Sequence, residues 1–447
     1  MAVAAAVSDP LPDLLIVIPL VILACKAGAR IVHRLGQPPV VGEIAVGILL
    51  GPSLLGWLWP EAQHSLFPAE VLPYLGALGN LGLLAYMFLI GLELDVGLLR
   101  GQSRTAIAVS QASIALPLAL GTCLALGMYA TFAPDGVGRL PFVLFIAVSM
   151  SITAFPVLAR ILTERDLYRT PTGALAMACA AVDDVTAWCL LAVVVAVSTS
   201  SEPAQVLITV LLAVAYMVCM RYVVRPLLAR WVARAERTAS DGAVMVVLFS
   251  GLCLSALATE HIGVHALFGA FVFGAMVPRG SRVIERSAAR LHSVAVPVLL
   301  PLFFVTTGLK TDVALLAGSA EQWLWALAVL VVAVIGKWGG GAGAARLSGR
   351  SWRESLSIGA LMNCRGLTEL VVLNIGLGLG VIGRDLFTAL VLMALVTTAL
   401  TTPALTWIRG AGPPAGPSVE PPAEPSAEPP AEPDVPGPRP KATAETG

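Results

Sequence analysis

Thirteen stretches of this chain are apolar for about twenty residues at a time, and that recurrence leaves little choice of fold. They run near 12–31, 37–55, 71–94, 105–130, 140–162, 171–198, 204–224, 241–259, 262–278, 292–309, 322–345, 354–378 and 385–408. A helix of about 20 residues crosses the hydrocarbon core of a bilayer. Lipid offers no partner to backbone N–H and C=O groups, so such segments close their hydrogen bonds internally as α-helices. Composition agrees. The chain is 57% hydrophobic and only 13% charged, whereas a soluble domain carries about 25% charged residues. The expected fold is an all-α polytopic membrane protein with thirteen transmembrane helices.

The basic residues give an orientation. Lys26, Arg30 and Arg34 follow the first span, and Arg160, Arg165 and Arg169 the fifth. Arg221, Arg225, Arg230, Arg234 and Arg237 follow the seventh, and Arg279, Arg282, Arg286 and Arg290 the ninth. The even-numbered connections carry little beyond Arg139, Lys310 and Arg384. Basic residues stay cytoplasmic, so the N-terminus is expected outside and the C-terminus in the cytoplasm. The start lacks a signal-peptide pattern, and the first span is expected to be retained. Zero net charge gives no reason to expect a nucleic-acid partner. The seven cysteines form no C-x-x-C pair and read as reduced, packed thiols. His261 and His265 have no third ligand nearby, so no metal site is read there.

An internal repeat is visible. Gly91-Leu92-Glu93-Leu94-Asp95-Val96 and Gly308-Leu309-Lys310-Thr311-Asp312-Val313 both read G-L-x-x-D-V at the ends of spans 3 and 10. Gly42 and Gly47 in span 2 match Gly269 and Gly274 in span 9. Both matches lie seven spans apart. Seven is odd, so the copies face opposite ways, and inverted repeats of this kind mark secondary transporters. From Gly410 onward the chain is rich in Pro, Glu and Ala, cannot build a core and is expected to be a disordered cytoplasmic tail. No nucleotide-binding regulatory domain is read in the chain, and no cofactor.

An ionisable residue at mid-membrane costs at least ~2.5–3.5 kcal/mol and is functional by default. Glu43, Asp183, Asp184, Lys337, Arg365 and Glu369 qualify. Asp183 and Asp184 are adjacent in the middle of span 6. Neighbours on a helix point about 100° apart, so the two cannot face one partner alike. A carboxylate that takes either a proton or a small cation, never both, is the minimal chemistry of antiport. Lys337 is the natural counter-charge. In span 5, the hydroxyls of Ser151 and Thr153 precede Pro156, which cannot continue the helix bonding, so they can help ligate a cation. Its repeat mate, span 12, carries Asn363-Cys364-Arg365-Gly366-Leu367-Thr368-Glu369. Two broken, crossing helices suit an ion site. Arg365 is expected to pair with Glu43 or Glu369 as a structural ion pair.

These residues resemble the second family of monovalent cation:proton antiporters, which includes bacterial sodium/proton and potassium/proton exchangers and plant cation/proton exchangers. The resemblance rests on Pro38 to Gly47, Ser151 to Arg160, the Asp183-Asp184 region, Pro301 to Leu309 and Met362 to Gly376, and it covers roughly residues 35–405. It implies a homodimer and an elevator-type mechanism. The core helices would be those near 105–198 and 322–408, and the dimer domain those near 12–94 and 204–309, within a membrane domain over 1–409. By motif position Asp184 matches the ion-binding carboxylate, Asp183 its neighbour, and Lys337 the basic residue paired with that neighbour. Acid at both positions together with the lysine implies electrogenic exchange; an electroneutral K⁺/H⁺ exchanger is the alternative. The expected function is exchange of Na⁺ or K⁺ for H⁺ across a bacterial-type plasma membrane. A channel needs a continuous polar pore, and an intramembrane aspartyl protease needs two Asp on different helices; neither pattern is present.

Overall fold

The structure, a computed structural model, describes residues 10–93, 104–165, 167, 170–199, 203–238 and 241–409. Asp95 of the repeat and the tail from Gly410 lie outside the described residues. Among the described residues the regular structure is entirely helical. The helices fall into two packing groups. One contains α1 (Leu11–Arg34), α2 (Pro39–Leu50) and α3 (Leu72–Glu93). The other begins with α4 (Arg104–Phe132), α5 (Arg139–Ser151), α6 (Phe155–Glu164) and α7 (Pro171–Thr199). The chain then returns to the first group through α8 (Pro203–Cys219), α9 (Arg225–Thr238), α10 (Asp241–Ile262), α11 (Ala266–Met276), α12 (Arg282–Val294) and α13 (Leu300–Gly308). It finishes in the second group with α14 (Ala320–Leu347), α15 (Trp352–Met362), α16 (Leu367–Gly378) and α17 (Arg384–Arg409).

All thirteen expected segments are helical, but they are not equal. Among the described residues, ten helical runs are long and apolar enough to cross a membrane, and the bent pair α15–α16, counted as one span, makes an eleventh. The segments expected at 140–162 and 262–278 are shorter. The first is interrupted between α5 and α6, and the second is the eleven-residue α11. The cysteines also differ from expectation. Cys25, Cys179 and Cys364 are buried, whereas Cys123, Cys189 and Cys219 are exposed and Cys253 is half-buried.

Within the second group α4 packs on α14, α5 and α7, and α15 packs on α14, α17 and α7. Within the first, α2 and α3 both pack on α13, and α3 also packs on α11. Glycines set these distances. A side chain on Gly308 would run into the backbone of Gly47 and Ile48, and one on Gly91 into the backbone of Phe271 and Ala275. Gly47 in turn lies against Phe304, and Gly274 against Phe88. Span 2 therefore meets span 10, and span 9 meets span 3, through glycines at Gly47, Gly308, Gly274 and Gly91. Gly308→Ala is expected to overpack this seam at a cost of about 1–3 kcal/mol. It should lower the midpoint of thermal unfolding in detergent. Gly343→Ala is the control, because a new Cβ there meets nothing within 4 Å; it should be neutral or slightly stabilising.

Candidate functional site

Two helix breaks build the site. Helix α5 ends at Ser151, and the chain runs extended at Ile152 (φ −75°, ψ 139°) and Ala154 (φ −86°, ψ 94°) before α6 begins. Pro156 is the cause. A continuous helix would need its missing N–H to bond the Ile152 carbonyl, and its ring would clash with that carbonyl. The second break lies between α15 and α16, which meet at 41°. The breaks touch: the Ala154 amide donates to the Cys364 carbonyl at 3.0 Å.

A broken helix leaves carbonyls without partners at its C-terminal end. Arg365 fills that gap. Its guanidinium donates to the Ser149 carbonyl at 3.1 Å and to the Met150 carbonyl at 2.6 Å, at the end of α5. A positive charge is favourable there, facing the negative end of the helix dipole. Glu369 balances the charge, with Oε2 3.1 Å from the guanidinium, and the Ser149 hydroxyl donates to Oε1 at 2.6 Å. Arg365 and Glu369 are both fully buried.

Of the two partners expected for Arg365, the structure pairs it with Glu369, and Glu43 takes no part, which corrects its place among the structural ion-pair residues. Arg365 lies in the break just before α16 and Glu369 in the first turn of that helix, while Glu43 belongs to α2 in the other packing group. It lines a cavity of about 970 Å³ on the Arg-rich side, together with Lys26, Arg30, Glu93, Arg160 and His292. Tyr86 of α3 lines the same cavity and lies within electrostatic range of both Glu43 and Asp184. A second cavity, about 900 Å³, opens on the opposite side and is lined by Asn80, Glu260, His265, Lys310, Asn374 and Arg384.

The two aspartates have opposite surroundings. Helix α14 packs close on α4 because Gly336 and Gly340 sit against Pro117 and Ala112. That packing brings Lys337 to Asp183, Nζ to Oδ2 at 3.1 Å, with both side chains buried. Asp183 also accepts from Ser110 at 2.6 Å, Ser113 at 2.9 Å and Thr153 at 2.9 Å. Lys337 donates to the Thr153 hydroxyl as well. Asp184, about 100° around the helix and 2% exposed, has no hydrogen-bond partner on either oxygen. The Phe155 amide, at the start of α6, faces it without closing to a hydrogen bond.

A buried carboxyl whose oxygens make no hydrogen bond and no salt bridge is short of ligands. It can take a proton or a dehydrated cation, and each excludes the other. Asp183, by contrast, already accepts from four donors. The structure places Thr153 in the Asp183–Lys337 cluster rather than beside Asp184. The Ser151 hydroxyl turns back to the Val148 carbonyl at 2.7 Å. Ser110 and Ser113 escape the sequence reading. The available signal is their i, i+3 spacing, which puts two hydroxyls on one face of an apolar helix. The two histidines serve locally: His261 Nδ1 lies 2.9 Å from the Leu257 carbonyl, and His265 Nδ1 accepts from the Leu267 amide at the start of α11.

Residues 20–409 match the family described as sodium/hydrogen exchanger, transmembrane. The Na(+)/H(+) antiporter NhaS4 of Synechocystis is 42% identical over 380 residues, covering 84% of this chain and 92% of the relative. Cation/H(+) antiporter 20 of Arabidopsis thaliana is 40% identical over 407 residues, covering 88% of this chain and 48% of the relative. K(+)/H(+) antiporter 1 of Saccharomyces cerevisiae is 34% identical over 406 residues, 89% of this chain and 46% of the relative. The chain thus spans about half the length of the plant and yeast relatives. Among solved structures, the sodium proton antiporter MjNhaP1 of Methanocaldococcus jannaschii superposes with a TM-score of 0.60 at 16% identity, covering 88% of this chain and 96% of that one.

Proposed function

This chain belongs to the sodium/hydrogen exchanger family, and from that premise we propose that Asp184 is the group that carries a proton one way and a monovalent cation the other. It is a transporter, not an enzyme, and exchanges monovalent cations for protons. The observation that carries the assignment is the bare Asp184 carboxyl, buried beside two broken helices and next to a fully bonded Asp183. The two packing groups support an elevator motion. In it the α4–α7 and α14–α17 group slides past the α1–α3 and α8–α13 group and moves Asp184 between the two cavities. The α1–α3 and α8–α13 group would supply the contacts of a homodimer. The cation is Na⁺ or K⁺, and the Arg-rich side is the cytoplasmic one.

The Asp183–Lys337 pair supports electrogenic exchange. When a cation approaches, Asp183 can leave the lysine and the lysine can release its proton. Two protons then leave as one cation enters, from Asp184 and from Lys337. A cycle that moves one net charge feels about 2.3 kcal/mol per 100 mV, or about a fiftyfold change in the cation gradient it can sustain. Purified protein in proteoliposomes, offered Na⁺, K⁺ and Li⁺ in turn under an ionophore-clamped potential, tests the reading. The clamp ion must be one the protein does not carry. Lys337→Ala is expected to keep exchange and lose its voltage response. Wild-type exchange indifferent to potential would establish one-for-one exchange instead. A Lys337→Ala protein with unchanged voltage response would clear the lysine of this role.

A further inference from the structure

We propose that Asn374 and Lys310 form a polar latch that holds the molecule closed on the side opposite the Arg-rich face, and so set from which side the transport site is open. The inference rests on the two-body reading above and goes beyond it by naming the residues that bias the equilibrium.

The latch is a chain of hydrogen bonds between the packing groups. Lys310, just past the end of α13, donates Nζ to Asn374 Oδ1 of α16 at 2.9 Å. Asn374 returns Nδ2 to the Thr307 hydroxyl of α13, also at 2.9 Å. Both ends of one side-chain amide thus reach across to the other group. Two residues on, the Asp312 amide donates to the Thr388 hydroxyl of α17 at 3.2 Å. The receiving arm is itself fixed. Ser53, beyond the end of α2, donates to the Thr311 carbonyl at 2.8 Å and accepts from the Val313 amide at 3.1 Å. The latch therefore pulls on a braced segment rather than a loose loop.

Its position matches its role. Lys310 and Asn374 both line the cavity of about 900 Å³ on that side, a vestibule whose lining does not reach Asp183 or Asp184. The chemistry suits a part that must open on every cycle. A hydrogen bond between polar groups at a wet cavity exchanges for bonds to water at modest net loss, whereas prying apart an apolar seam exposes surface that water does not compensate. In an alternating-access protein, the apparent affinity from one side scales with the fraction of molecules open to that side. Bonds made only in the state closed on the latch side weaken apparent affinity there and strengthen it on the other face.

Asn374 is a positioning residue, and two substitutions push it in opposite directions. Asn374→Ala removes both bonds. Asn374→Asp converts the bond with Lys310 into an ion pair and leaves Thr307 a hydroxyl to reorient. The measurement is the half-saturating concentration of the transported cation, with Na⁺ and K⁺ each tried, from each face in right-side-out and inverted membrane vesicles. For Asn374→Ala the ratio of the latch-side value to the opposite value should fall about tenfold, which is what the loss of two ordinary hydrogen bonds corresponds to. For Asn374→Asp it should rise. Lys310→Met, at an exposed residue, should shift the ratio in the same direction as Asn374→Ala and by less, and it carries the test if Asn374→Ala does not fold. Exchange that persists with an unchanged ratio, or with Ala and Asp variants shifted the same way, would overturn the latch. Cation/proton exchange in the wild-type vesicles, measured alongside, reports separately on the antiport reading.

Discussion

Asp184→Asn is expected to bring cation/proton exchange down to the rate of protein-free liposomes while the protein still inserts, folds and elutes as the wild type does. The argument is chemical. Asn keeps the size of Asp and so leaves the packing around position 184 intact, but an amide cannot take up and release a proton in the working pH range. Nothing else at the site can substitute. Asp183 is engaged by Ser110, Ser113, Thr153 and Lys337, and Glu369 by Arg365 and Ser149. The fold should not suffer, because neither oxygen of Asp184 has a hydrogen bond to lose. The measurement is cation-dependent proton flux in proteoliposomes beside a thermal melt in detergent. Robust cation-dependent flux in the variant would remove Asp184 from its assigned role.

Arg365→Ala should do the reverse, and fail as a structure before it fails as a transporter. The substitution leaves Glu369 charged and buried with only the Ser149 hydroxyl, strips the Met150 carbonyl at the end of α5 of its guanidinium donor, and leaves the Ser149 carbonyl only the Ile152 amide at 3.4 Å. Removing one partner of a buried pair costs about 3–5 kcal/mol, and the lost carbonyl bonds add to that. Expression and melting temperature should therefore collapse. Arg365→Ala combined with Glu369→Gln should recover part of the loss, because the uncompensated charge is gone. A stable Arg365→Ala protein with only a shifted cation affinity would place Arg365 in the transport site.

The sequence by itself determined a great deal here. Segments this long and apolar have one way to satisfy their backbones in lipid, so the helices were legible from periodless hydrophobicity alone. Pro156 marks the first break because its effect is local: one missing N–H and one ring. The buried charges announce a site because their cost at mid-membrane has no other justification.

What the tertiary structure alone decided concerns partners far apart in the chain. Residue spacing says that Asp183 and Asp184 look in different directions, but not which direction holds the lysine. That was settled by glycines at 336 and 340, which let α14 lie against α4 and bring Lys337 across 154 positions to Asp183. Ser110 and Ser113 reach the same carboxylate from about seventy positions away, and a serine in an apolar helix carries no mark of where it will point. Glu43 looks equally able to meet Arg365 on a list of buried charges, yet it sits on the far side of the boundary between packing groups. The latch pairs Lys310 with Asn374 for the same reason. A side-chain hydrogen bond is made or missed over a few tenths of an ångström, and only the packing of whole helices fixes distances that finely.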